Sequence, residues 1–174
     1  MLLRRGRIPF PIGARLPSSA LPRWHPAFLL ATWFGAGLLP RMPGTWGSLA
    51  ALPLAWLLAR AGGPLLLGLA TLVVFGVGWW AAAVYVRVNG REDPGEVVID
   101  EVAGQWLTLL LVPPDRPLLY ALGFVLFRVL DITKPWPAGW ADRTVPGGLG
   151  VMLDDILAAG WGLAALTLVE AWLP

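Results

Sequence analysis

The 174-residue chain has no cysteine, a single histidine and a single lysine. Without cysteine it can form no disulfide, no thiolate metal site and no thiol nucleophile. His25 stands alone in an Arg- and Pro-rich leader. That argues against zinc sites built on histidine clusters and against any imidazole-based triad. Charge is also scarce. Only 14% of positions are charged, 57% are hydrophobic and the mean hydropathy is +0.67. An average soluble domain carries about 25% charged and about 45–50% apolar residues. The chain is therefore too oily for an ordinary soluble surface, and the same numbers exclude disorder. Whatever chemistry it performs must come from carboxylates, arginine, Lys134, hydroxyls and backbone groups.

Tryptophan, by contrast, is plentiful at 11 residues. Its ring suits the membrane–water boundary, and it also suits a large aromatic core. The net charge is +2 and the pI is near 9.7, with Lys134 the lone lysine among the basic residues. The cations are scattered between apolar runs and form no polar basic face, so no nucleic-acid partner is expected.

Residues 1–25 carry Arg4, Arg5, Arg7, Arg15 and Arg23 among prolines, with no uninterrupted apolar stretch of the kind a cleaved signal peptide needs. A mobile basic leader is expected there, followed by one membrane-embedded domain over 26–174. The longest uncharged run, 61–86, holds 26 residues between Arg60 and Arg87. At about 20 residues per crossing it can span a bilayer. Shorter apolar runs at 27–40, 48–59, 102–114, 117–127 and 156–169 can act as spans only if their polar ends face a protein interior or a watery cavity. The pattern predicts an all-α polytopic membrane bundle. Helices are expected over 48–60, 64–86, 98–112 and 118–133, then a loop over 134–149 and a last helix. Segment 27–40 is expected as a re-entrant or interfacial helix.

Strict alternation of these helices sorts the basic residues. Arg4, Arg5, Arg7, Arg15, Arg23, Arg41, Arg87, Arg91, Arg128, Lys134 and Arg143 fall on one side, and only Arg60 and Arg116 on the other. The positive-inside rule makes the first side cytoplasmic. Asp115 and Glu170 lie near the opposite side, while Glu92, Asp93, Glu96, Asp100, Glu101, Asp131, Asp142, Asp154 and Asp155 fall toward the cytoplasmic one. Carboxylates from three separate stretches are thus expected to converge on a polar site at that end.

Asp100 and Glu101 interrupt an apolar helical pattern. Helix neighbours point about 100° apart, so both can face one ion only if a kink or a helix start intervenes. The plainer reading is an N-terminal acidic pair that complements the helix dipole. Arg128, Asp131 and Lys134 follow at intervals of three, which suits a structural Arg128–Asp131 pair. Pro135 ends that helix. Against the plain reading, a compact ammonium can contact a phosphoryl oxygen where a flat guanidinium would not fit. Asp142 and Arg143 precede Gly147, Gly148 and Gly150, and Asp154 and Asp155 follow. Gly-rich turns let backbone approach a ligand, although these acids too can serve a helix dipole. Gathered together, so many buried like charges need compensation, and the hard oxygen ligands point to Mg²⁺, with Mn²⁺ as a variant. Ser48 reads as a helix N-cap beside the hydroxyl of Thr45, or as part of an anion cradle. A metal, Arg128, Arg143 and Lys134 around one cavity suit phosphoryl chemistry. The rival reading is a transporter or proton channel that uses the same intramembrane acids.

Five segments, in order and at similar spacing, resemble one family. They are Pro-Gly-Thr-Trp-Gly-Ser (43–48), Asp-Glu-Val-Ala-Gly (100–104), Phe-Arg-Val-Leu-Asp-Ile-Thr-Lys-Pro-Trp-Pro (127–137), Asp-Arg (142–143) and Gly-Gly-Leu-Gly-Val-Met-Leu-Asp-Asp (147–155). The family is phosphatidylglycerophosphatase A, and the likeness runs over about 26–165. The resemblance implies a Mg²⁺-dependent phosphatase of the bacterial inner membrane that converts phosphatidylglycerophosphate to phosphatidylglycerol, with anionic lipids as its surroundings. On this reading Asp131, Glu101 and Asp155 are catalytic. Asp100, Glu101, Asp131, Asp142, Asp154 and Asp155 hold metal, and Thr45, Ser48, Arg128, Lys134 and Arg143 bind substrate.

Overall fold

The computed structural model describes residues 21–91 and 94–172. Residues 1–20 of the expected leader lie outside that range. Six α-helices make up the described chain: α1 (Pro26–Ala31), α2 (Pro43–Asn89), α3 (Ile99–Thr108), α4 (Pro117–Thr133), α5 (Ala138–Thr144) and α6 (Gly147–Trp172). A 3-10 turn, Ala36–Leu38, follows α1, and no strand occurs among the described residues. α2 and α6 are long and apolar enough to cross a membrane.

α2 is a helical hairpin. A straight helix of 47 residues would be ~70 Å long. The chain instead breaks at Gly62 and Gly63, where Gly63 takes φ 62 and ψ −157, a region closed to residues with a side chain. Pro64 then starts the second arm, where its missing N–H costs nothing. Neighbours along α3 reveal the arms' directions. Gly44 and Gly47 lie beside Glu101 and Val98, at the start of α3, whereas Ala59 and Leu67 cluster with Leu109 and Val112, beyond its end. Gly78, far along the second arm, returns to Ile99. The separate helices expected over 48–60 and 64–86 are these two arms.

α3 is the central post. Ile99, Asp100, Val102, Ala103, Gly104, Gln105, Trp106 and Thr108 are all buried. α2, α4 and α6 pack around it. The Trp106 indole donates to the Ala51 carbonyl at 3.0 Å and ties α3 to the first arm. The Trp56 indole reaches the Pro114 carbonyl at 2.9 Å and closes the far end. α6 lies tight against the second arm because Gly148 has no side chain; a Cβ there would overlap the Ala83 backbone.

Four expectations change. Segment 27–40 is not one helix: α1 stops at Ala31, and Trp33 and Phe34 adopt positive φ. Thr32 marks the break, its carbonyl and its hydroxyl both accepting the Gly35 N–H, at 3.1 and 3.2 Å, in place of the helical ladder. The helix expected over 98–112 spans only Ile99–Thr108, ~15 Å of a ~30 Å hydrocarbon layer. Ser48 is no N-cap. α2 starts at Pro43 after Met42, and the Ser48 hydroxyl donates back to the Gly44 carbonyl at 2.9 Å. Finally, residues 134–149 contain α5, and α6 begins at Gly147, so Asp154 and Asp155 sit inside a helix and do not cap its start.

Candidate active site

The acids of α3, α4, α5 and α6 meet at the end of the bundle where α3 begins. There they line a cavity of about 400 Å³. Its walls hold Asp100, Glu101, Asp131, Asp142, Asp154 and Asp155, together with Arg128 and Lys134. The remaining lining is Met42, Pro43 and Gly44 at the start of α2, Gly95 and Val97 before α3, Ile132 of α4, and residues of the α5–α6 junction.

α3 supplies two ligand-competent carboxylates because its helix starts there. Asp100 and Glu101 occupy the first turn, where the positive end of the dipole favours negative charge. The Glu101 N–H donates to Asp100 Oδ1 at 3.0 Å. α6 contributes Asp155 from its third turn. Oxygens of Asp100, Glu101 and Asp155 all lie within 4.8 Å of one another. Glu101 Oε2 and Asp155 Oδ2 are buried with no hydrogen-bond partner. Two orphaned carboxylate oxygens in a dry cluster are costly unless a cation completes them. The donor set, all carboxylate oxygen, fits a hard divalent ion.

Two cations flank this trio. Arg128 Nη1 lies 2.6 Å from Asp131 Oδ2 and 3.7 Å from Glu101 Oε1. Its Nη1 and Nε are nevertheless buried without an aligned hydrogen bond, so they retain donor capacity. Lys134, in left-handed conformation at the end of α4, donates to Asp142 Oδ1 at 2.9 Å and to Asp154 Oδ2. Burial works to lower its pKa, but the hydrogen bonds to Asp154 and Asp142 outweigh it and hold the ammonium above the ordinary lysine range.

Gly44 is the point where α2 touches the cluster. A Cβ there would collide with Glu101 Oε1 and crowd Arg128 Nη1. Thr45, Ser48 and Arg143 do not line the cavity. The Thr45 hydroxyl is buried without a partner, and Ser48 is spent on the Gly44 carbonyl. Arg143 is exposed on α5, with no carboxylate within 4.0 Å among the described residues. Both residues are exposed on α5, but Asp142 reaches Lys134 at the cavity edge and Arg143 does not line the cavity, a difference that adjacency in the chain does not reveal.

Sequence reasoning did not single out Gln105. It is fully buried, and both side-chain amide atoms lack partners. Thr108, also buried, has an unpartnered hydroxyl. Glu101, Gln105 and Thr108 fall at i, i+4 and i+7, a spacing that marks one helix face running inward from the acids.

A family model described as Phosphatidylglycerophosphatase A matches residues 29–170. A phosphatidylglycerophosphatase A of Escherichia coli (strain K12) is 44% identical over 135 residues, covering 78% of this chain and 76% of that protein. One from Haemophilus influenzae is 32% identical over 157 residues, 90% of this chain and 96% of the relative. A Bacteroides thetaiotaomicron protein, whose name proposes phosphatidylinositol-3-phosphatase activity, is 40% identical over 159 residues, 85% of this chain and 97% of its own length. No solved structure matches the chain significantly. A match over nearly the whole described bundle, with relatives this similar, settles kinship: the chain belongs to the phosphatidylglycerophosphatase A family of phosphatases.

Proposed function

We propose that this chain hydrolyses phosphatidylglycerophosphate to phosphatidylglycerol and inorganic phosphate, embedded in a bacterial inner membrane with its cavity facing the cytoplasm and Mg²⁺ as cofactor. The observation that carries this reading is the cavity itself, in which carboxylates from four helices surround two cations with unspent or rearrangeable donors. The names of the E. coli and H. influenzae relatives support the substrate. The 11 Trp and the apolar arms of α2 and α6 support the membrane setting.

Asp100, Glu101 and Asp155 would hold Mg²⁺, with Glu101 Oε2 and Asp155 Oδ2 as the oxygens now lacking partners. The chemistry Mg²⁺ supplies when bound is neutralisation of phosphate charge and a lowered pKa for water. Arg128 offers Nε and Nη1 to phosphate oxygens in the charge-assisted geometry that guanidinium favours. Lys134 contributes a second positive charge, held in place by Asp142 and Asp154. Asp131, beside Arg128, orients the attacking water and accepts its proton. The water oxygen bonds to phosphorus, the bond from phosphorus to the glycerol oxygen breaks, and that oxygen takes up a proton equivalent to the one Asp131 accepted, which returns Asp131 to its carboxylate and releases phosphatidylglycerol. No histidine is needed. Thr45, Ser48 and Arg143 fall outside this scheme because they do not line the cavity.

The test is purified protein in detergent with phosphatidylglycerophosphate, following free phosphate with Mg²⁺ and with a chelator. Release with Mg²⁺ only is expected. Asp131→Asn should abolish release while the protein stays in the membrane fraction. Wild-type turnover by that variant, or turnover indifferent to the chelator, would reject the site; proton flux without hydrolysis would favour a transporter.

A further inference from the structure

This inference rests on the lipid-phosphatase reading and concerns the part of the substrate that is not phosphate. A lipid monoester must keep its phosphate among charges while its acyl chains stay in hydrocarbon. The cavity therefore needs a rim that is apolar on one side. Two residues line the cavity and are also strongly exposed apolar side chains: Met42, just before α2, at 61%, and Ile132, in the last turn of α4, at 62%. Elsewhere the exposed part of the rim is Gly95, Asp142 and Pro146. Pro146 adds a small apolar ring beside Asp142, but the large exposed apolar side chains of the mouth are Met42 and Ile132, which form a lip between the start of α2 and the end of α4.

Two observations tie that lip to lipid. Trp46 and Trp136 follow Met42 and Ile132 by four residues and are both exposed, as indoles are at the headgroup level of a bilayer. The lip is also continuous with the reacting groups. Gly44, two residues after Met42, brings the α2 backbone against Glu101, and Asp131 directly precedes Ile132. An acyl chain leaving the cavity here meets carbon, whereas one leaving past Asp142 would meet a carboxylate.

We propose that Met42 and Ile132 form the surface over which the diacylglycerol portion of the substrate lies while its phosphate occupies the cavity. The lip selects membrane-borne monoesters by binding their acyl ends and takes no part in bond breaking. Such binding is made equally in the ground and transition states, so its loss appears in KM. Met42 has φ 53, a conformation asparagine tolerates, so Met42→Asn removes apolar surface without straining the turn.

The experiment measures phosphate release from dioleoyl phosphatidylglycerophosphate in mixed micelles of fixed composition, for Met42→Asn, Ile132→Asn, Ile132→Leu and Leu118→Asn. Leu118 is an 83% exposed apolar residue at the start of α4, the opposite end of that helix. The two lip asparagine variants should raise KM about tenfold, the loss of roughly two buried methylenes, with kcat within about threefold of wild type. Ile132→Leu and Leu118→Asn should keep the wild-type KM. Unchanged KM in both lip variants, a fall in kcat in place of the rise in KM, or an equal rise with Leu118→Asn would overturn the lip. Absence of release by the wild-type protein would instead overturn the phosphatase reading on which it rests.

Discussion

The tandem acids of α3 and the tandem acids of α6 share one local habit. In each, the first carboxylate accepts the backbone N–H of the second, at 3.0 Å in both cases. Beyond that they part. Asp100 and Glu101, in the first turn of α3, both reach the same point and form the carboxylate trio with Asp155. Asp154 and Asp155 stand inside α6 and diverge, Asp155 to the trio and Asp154 to Lys134. Adjacent residues of a regular helix point about 100° apart in both cases, so the difference comes from what packs around each pair: Asp155 lies where Asp100 and Glu101 can both reach it, and Lys134 draws Asp154 away. The same pair of charges therefore makes one double contribution from α3 and two separate contributions from α6.

The largest expected effect separates those two contributions. Asp155→Asn removes a member of the trio and should lower kcat about 10³-fold, a loss comparable with removing a principal transition-state stabiliser. Asp154→Asn leaves the trio intact and should cost about tenfold, through a loosened Lys134. Equal losses in a steady-state phosphate-release assay would break the distinction. The next effect is on stability. Lys134→Met leaves Asp154 buried without its partner, and about 2 kcal/mol should be lost, seen as a lower Tm in detergent. The figure is below that for a fully buried pair because the Lys134 side chain is 29% exposed. Unchanged Tm would place the Asp154 charge in better-solvated surroundings than the structure gives it.

The smallest effect comes from an ion pair at the surface. Arg91 and Glu96 meet at 2.7 Å with side chains 53% and 35% exposed. The Arg91 hydrogen bond holds the Glu96 carboxyl below its ordinary pKa, against the opposing effect of partial burial. Its contribution is therefore present above the ordinary glutamate range and is lost as pH falls through the lowered value. Glu96→Gln should change stability by less than about 1 kcal/mol at neutral pH and flatten the acid limb of Tm against pH only slightly. A large change would show that this loop anchors α3 more firmly than an exposed pair can.

Several features were legible from residue order. Gly62, Gly63 and Pro64 between apolar runs announce the hairpin, and Pro117 and Pro135 bracket α4 closely. The convergence of acids was also legible, since alternation of apolar runs brings 100–101, 131 and 154–155 to one end. What could not be read was the role of each polar residue within its turn. Thr45 and Ser48 looked like an anion cradle because a helix start was expected at 48; with α2 starting at Pro43, the Ser48 hydroxyl turns back on Gly44. Lys134 stands out in the sequence as the lone lysine, and what the sequence does not show is that Asp142 and Asp154 hold its ammonium at the cavity. Arg143 was expected at the phosphate, and the short helix α5 places it on the surface outside the cavity lining.

By itself, residue order determined that this chain builds apolar helices, that its chemistry rests on carboxylates, arginine and one lysine, and which end those groups share. Periodicity and charge are properties of short stretches, so they survive without any knowledge of packing. Only tertiary structure decided which oxygens are left without partners, that α3 is a buried post too short to cross a membrane, and that Gly44 and Ile132 border the site. Those facts depend on distances between helices far apart in the chain, set by how closely their glycine and alanine faces approach.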